Sequence, residues 1–259
     1  AEKREDEALN CKHEMDAIDH FVGMYPIAAG GPVERTLSPF LFTLLGVMLV
    51  SFMITDKRMR IMVFAGGSMV IIAWMSYALY MPGGMKVLSP NYISDVVGTM
   101  DLEPEDYAEW SGIETIEESY SEALGRYFRE KAAIARAVDL MSTAAHVAYA
   151  LIIASVLAIS LALWRIRPAY WLLGLIPAAL PVFFIIEYAA WLWWFGHSLH
   201  EMAAFTVKPF MPTVLGQGKV AQFSTFSYPH YGFGLIVAAS ACLLLAMLIR
   251  FKQMRDAEP

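Results

Sequence analysis

The chain has 259 residues, of which 58% are apolar and only 17% charged, with a formal net charge of −6 at neutral pH. Mean hydropathy is positive, a balance that soluble domains of this length rarely show, so the composition argues against a soluble enzyme and for an integral membrane protein. No Ser-His-Asp set, HExxH sequence or nucleic-acid motif is present.

Residues 1–37 precede the first apolar run and contain Cys11, His13, Met15, His20 and Met24. Thiolate, imidazole and thioether are ligands that suit Cu(I), and Cys11 with Met15, or His20 with Met24, would align on a helix at four-residue spacing. The alternative is an acidic tail with incidental histidines. The first residue is Ala, as expected after a cleaved signal or a trimmed tag. Cys242 lies inside the last apolar run, so it is not expected to pair with Cys11.

Five apolar runs follow, at 38–55, 61–81, 141–164, 170–195 and 231–249. Each is about 18 residues or longer, roughly 27 Å as a helix, and so long enough to cross a bilayer. Lipid offers the backbone no hydrogen-bond partners, and the runs do not alternate as barrel strands would, so each reads as a transmembrane helix. The expected fold is an all-α integral membrane protein with five spans. Lys57, Arg58, Arg60, Arg165, Arg167, Arg250, Lys252 and Arg255 fall in the two short links and the tail, which places those ends in the cytoplasm. The N-terminus then lies outside and the C-terminus inside. In sequence order the chain divides into an outer segment (1–37), a hairpin of spans (38–81), an outer acidic loop (82–140), a second hairpin (141–195), an outer proline-bearing loop (196–230) and a last span with its tail (231–259).

Twelve Asp or Glu and four Lys or Arg lie between Asp95 and Asp139. Asp101 or Glu103 before Pro104 reads as a helix start. The spacing of Ile113, Ile116, Tyr120, Leu124, Tyr127, Phe128, Ile134 and Val138 predicts an amphipathic helix leading into the third span. Such a negative surface suits a basic electron carrier such as a cytochrome c; it equally suits a merely solubilising face.

Helical counting brings His146, Glu187, His197, His200, Glu201 and His230 to one membrane face. Neutral imidazoles with a carboxylate suit copper, iron, zinc or haem, or the relay of a proton from a quinol. The plainer reading is interfacial histidines and a carboxyl paired inside the bundle.

Gly216, Gly218 and Lys219 lack the glycine spacing and the Ser or Thr of a phosphate loop, and the five spans do not split into transporter-like halves. Prolines 209, 212 and 229 forbid a continuous helix across the last outer loop. At 208–213 and 218–234 the chain resembles the NosB-type polytopic membrane proteins associated with clade II nitrous oxide reductase. The resemblance implies an inner-membrane partner of a periplasmic copper enzyme. It leads us to expect a non-catalytic accessory subunit that anchors the reductase near its electron supply, with copper in the partner and Lys208, Phe210, Met211, Lys219, Phe223 and Tyr228 on the docking surface. The rival expectations are a quinol-oxidising or metal- or haem-binding subunit, with haem, quinone or copper in this chain, and a copper-delivery protein.

Overall fold

A computed structural model describes residues 11–26, 31–201, 203–204, 206–220 and 223–256, with backbone alone at 11–13, 220, 223 and 225. The side chains of Cys11, His13 and Phe223 therefore lie outside the described residues. In chain order come α1 (Cys11–Val22), α2 (Pro32–Met53), α3 (Lys57–Tyr80), α4 (Pro90–Met100), α5 (Gly112–Gly125), α6 (Lys131–Arg165), α7 (Leu172–Ala178), α8 (Leu180–His197), strands β1 (Gly216–Val220) and β2 (Phe223–Ser227), and α9 (Tyr231–Asp256).

Helices α2, α3, α6 and α9 are each long and apolar enough to cross a membrane, and the bent pair ending in α8 makes a fifth crossing if it is one span. Large apolar side chains on α6 and α9 point away from the protein. Leu151, Leu157, Leu235 and Leu248 are 61%, 63%, 65% and 67% exposed, a surface that needs a lipid solvent.

The fourth span differs from the straight helix expected at 170–195. A 3₁₀ turn at Arg167–Trp171 leads into α7, and α8 follows at 57° to this first part. Pro177 and Pro181 each lack an amide hydrogen and crowd the carbonyl four residues earlier, so the ladder breaks between them. Helix α6 has 35 residues, about 52 Å, and so extends well beyond the expected third span.

The acidic connection also departs from the expected pattern. Asp101 ends α4 with φ 53° instead of starting a helix, and the next helix begins only at Gly112, capped by Ser111. There Ser111 accepts from the Glu114 amide at 3.2 Å while Glu114 accepts from the Ser111 amide at 2.7 Å, a capping box. Those bonds hold the Glu114 carboxyl below its usual value. The amphipathic pattern is split into α5 and α6 by a turn in which the Tyr127 and Phe128 amides both donate to the Leu124 carbonyl. The turn buries Phe128.

One apolar core joins the spans to this layer: Phe40 of α2, Met75 and Leu79 of α3, and Ile116 and Leu124 of α5 are all almost fully buried within it. The opposite end of the bundle is basic. Arg60 donates to the Ile54 carbonyl at 3.0 and 2.8 Å and to that of Thr55 at 2.9 Å. Arg250 donates to the Phe52 carbonyl, and Lys57 to that of Trp164 at 2.8 Å. The end of α2 thus has carbonyls satisfied by guanidinium groups, as a helix terminus away from water requires.

Arg60→Met is expected to destabilise the protein by about 2 kcal/mol, because it strands those carbonyls. Thermal unfolding in detergent should show a clear drop for Arg60→Met, and none for Arg58→Met at the neighbouring exposed position.

Candidate functional site

At the acidic end, a cavity of about 340 Å³ lies between the first turns of α2, helices α4 and α5, and α8. Its volume falls in the range of small-molecule sites. Pro32 at the first turn of α2 is placed where a missing amide costs nothing, and it brings Glu34 and Arg35 to the cavity mouth. Arg35 donates through Nη1 to Asp95 Oδ2 of α4 at 2.7 Å, and its guanidinium lies 4.9 Å from the centre of the Tyr92 ring. Both side chains of this ion pair are about a quarter exposed, at 26% and 27%.

On the facing wall, Glu187 and Trp191 of α8 line the cavity together with Glu34 of α2. Tyr92 and Tyr120 complete the polar edge; burial raises both phenols above their usual value, so both stay neutral donors. The remaining wall is apolar and aromatic, with Phe184, Tyr188 and Trp191 from one face of α8.

The six groups expected at one depth occupy separate places. Only Glu187 lines this cavity. His146 Nδ1 lies 3.1 Å from Tyr80 Oη, ring against ring. His197 stacks on Trp193 and donates from Nδ1 to its carbonyl at 2.7 Å. His200 lies in an aromatic cluster, Glu201 is exposed in the turn beside it, and His230 packs on Tyr231 at the start of α9. Among the described residues, no three His, Cys, Asp or Glu side chains converge as a metal site.

The N-terminal residues are also separated. Met24 is buried with Val22 and Phe195, while His20 stacks on His200 with ring centres 5.1 Å apart. The four-residue alignment of His20 with Met24 fails because α1 ends at Val22 and Gly23 turns the chain with φ 89°. Met15 is 36% exposed. The His200 amide donates to the Gly23 carbonyl at 2.8 Å and that of Ala204 to Phe21 at 3.1 Å, tying α1 to the segment after α8.

Of the expected docking residues, Lys208, Met211, Lys219 and Tyr228 are exposed. Phe210 instead turns inward onto the Val22–Met24–Phe195 cluster, and its amide donates to the Gly196 carbonyl at 3.1 Å. Strands β1 and β2 form an antiparallel hairpin pairing Gly216 with Ser227 and Val220 with Phe223, where the sequence reading has only an ordered loop. Glu34, Arg35, Tyr92 and Asp95 carry no sequence signal as a group, since Arg35 and Asp95 are sixty positions apart. The nearest hint is charge beside Pro32 at the edge of an apolar run.

Comparison with known proteins finds no matching family model, no matching curated protein and no matching solved structure.

Burial, followed by the charge of His20, lowers the His200 imidazole below its usual value. The unfolded chain therefore takes up the proton first, so the contact between α1 and the segment after α8 is fully kept above about pH 6.5 and weakens as pH falls through that value. Hydrogen exchange at the His200 and Ala204 amides, corrected for intrinsic rates, should show faster opening at pH 5 than at pH 7.5. His200→Phe should remove the difference.

Proposed function

We propose that this chain is a non-catalytic accessory subunit of the inner membrane that holds a periplasmic copper nitrous oxide reductase through its 207–230 segment. The reading rests on the resemblance at 208–213 and 218–234. The observation that carries it furthest is the concentration of uncovered apolar side chains on and beside the hairpin. Met211, Leu215, Phe226 and Tyr228 are 48%, 51%, 63% and 71% exposed. Aromatic groups of this kind, projecting on a short sheet, are the residues that carry binding energy when a partner covers them.

The hairpin strands pair with each other, and Gln217, Lys219, Ser224 and Phe226 are exposed on them. Lys208 and Lys219, both exposed, add positive charge beside the apolar patch. They match a partner surface that carries carboxylates. In this proposal the acidic connection faces the same compartment and steers a basic carrier such as a cytochrome c, while the arginine-rich end faces the cytoplasm.

Phe226→Ser with Tyr228→Ser is expected to abolish co-purification of the reductase in mild detergent while leaving the membrane level of this chain unchanged. Full retention of the reductase by the double variant would refute the docking role. A reporter fused within 216–227 that reads as cytoplasmic would refute the orientation.

A further inference from the structure

We infer that the cavity between α2, α4, α5 and α8 is a binding site for a membrane quinol. This is independent of the docking proposal, which concerns the opposite end of α8's following segment and a protein partner.

The cavity combines three properties that narrow the ligand. Its body is apolar and aromatic, with Tyr92, Phe184, Tyr188 and Trp191 in its walls, which suits a flat ring. Its α8 wall is reachable from the surface expected to meet lipid: Phe184 is 45% exposed and Glu187 is also exposed. A ligand dissolved in the bilayer can therefore enter sideways. Its charged groups are mostly acids: among the described residues Asp16, Glu34, Asp95 and Glu187 line it against the guanidinium of Arg35.

That charge balance decides between occupants. A phospholipid headgroup or a fatty acid brings an anion, which the acids repel and which Arg35, already held by Asp95 at 2.7 Å, is poorly placed to offset. A quinol brings neutral hydroxyl donors on an aromatic ring with an apolar tail. Carboxylates accept from such donors, and in a low-dielectric wall those hydrogen bonds are strong. Glu34 and Glu187, which both line the cavity, are the natural receivers of one hydroxyl, and Trp191 stands in the wall that would face the ring. The inference concerns binding alone and includes no electron transfer.

The probe is decylubiquinone, added oxidised or chemically reduced to the full chain in nanodiscs. Both forms are expected to raise the unfolding midpoint saturably, the reduced form at lower concentration, and the oxidised form to quench tryptophan emission with the same midpoint. Glu187→Leu should weaken binding of the reduced form at least tenfold, and Trp191→Phe should lower the quenching amplitude while keeping the thermal shift. If Glu187→Leu does not fold, Phe184→Ala carries the same test through loss of ring contact. Quenching that rises linearly without saturation would overturn the inference, as would binding of the reduced form by Glu187→Leu or Phe184→Ala equal to that of the unaltered chain. So would equal displacement by a decyl-chain phosphocholine, which would make the occupant a lipid. A failed co-purification test leaves these readouts untouched.

Discussion

Everything at the acidic end depends on an apolar core that does not stop where the spans do. Ile116 and Leu124 of α5 are buried against side chains of α2 and α3, with Met85 and Leu88 filling the link between α3 and α4. Burial of this kind contributes about 1.5–3 kcal/mol for each large side chain removed from water. Glu114, Glu118 and Glu122 of α5 are exposed to water, while Glu117 accepts from Ser142 of α6 at 2.6 Å. The layer is therefore a lid fastened to the bundle rather than a loose loop, and α4 and α5 stand at fixed positions beside α2. Without that attachment Asp95 would not reach Arg35, and the cavity would have no wall on that side.

The two ends of the bundle solve different electrostatic problems. At the basic end, arginines are consumed by backbone: the guanidinium of Arg60 lies 4.7 Å from the Tyr170 ring centre and that of Arg250 5.3 Å from it, while both also bond carbonyls at the end of α2. Each cation thus has oxygen partners in its plane and a ring beneath it, a combination that a lysine could not reproduce. At the acidic end, arginines meet carboxylates instead, Arg35 with Asp95 and Arg126 with Glu122, while Glu114 caps α5. The asymmetry gives the protein a polarity along its axis that goes beyond a count of Lys and Arg.

Length and apolarity made the spans legible, because a lipid-facing helix has few other options. The same signal said nothing about where a helix bends: Pro177 and Pro181 lie inside an apolar run that reads as continuous. Asp101 before Pro104 has the composition of a helix start, yet the chain needs a left-handed residue there to close α4, and the capping box at Ser111 competes better for the next start. The hairpin was hidden because its strands are short and rich in Gly, Ser and Thr. Glu187 was visible as an acid in an apolar run; that Glu34 lines the same cavity was not, since nothing local records that α8 and the start of α2 share it. Histidines that share a depth need not share an azimuth, which is why His146, His197 and His230 each found a different aromatic neighbour.

Gly196, in the last turn of α8, is in close contact with the chain at Phe210 and Pro212: a Cβ at Gly196 would overlap the Phe210 carbonyl and touch the Pro212 ring. With the Phe210 amide bonded back to Gly196, the extramembrane segment and the helix end are riveted together. Roughly 13 Å further along that helix lies Glu187. The anchor point of the segment after α8 and the cavity-lining Glu187 are therefore carried on one helix.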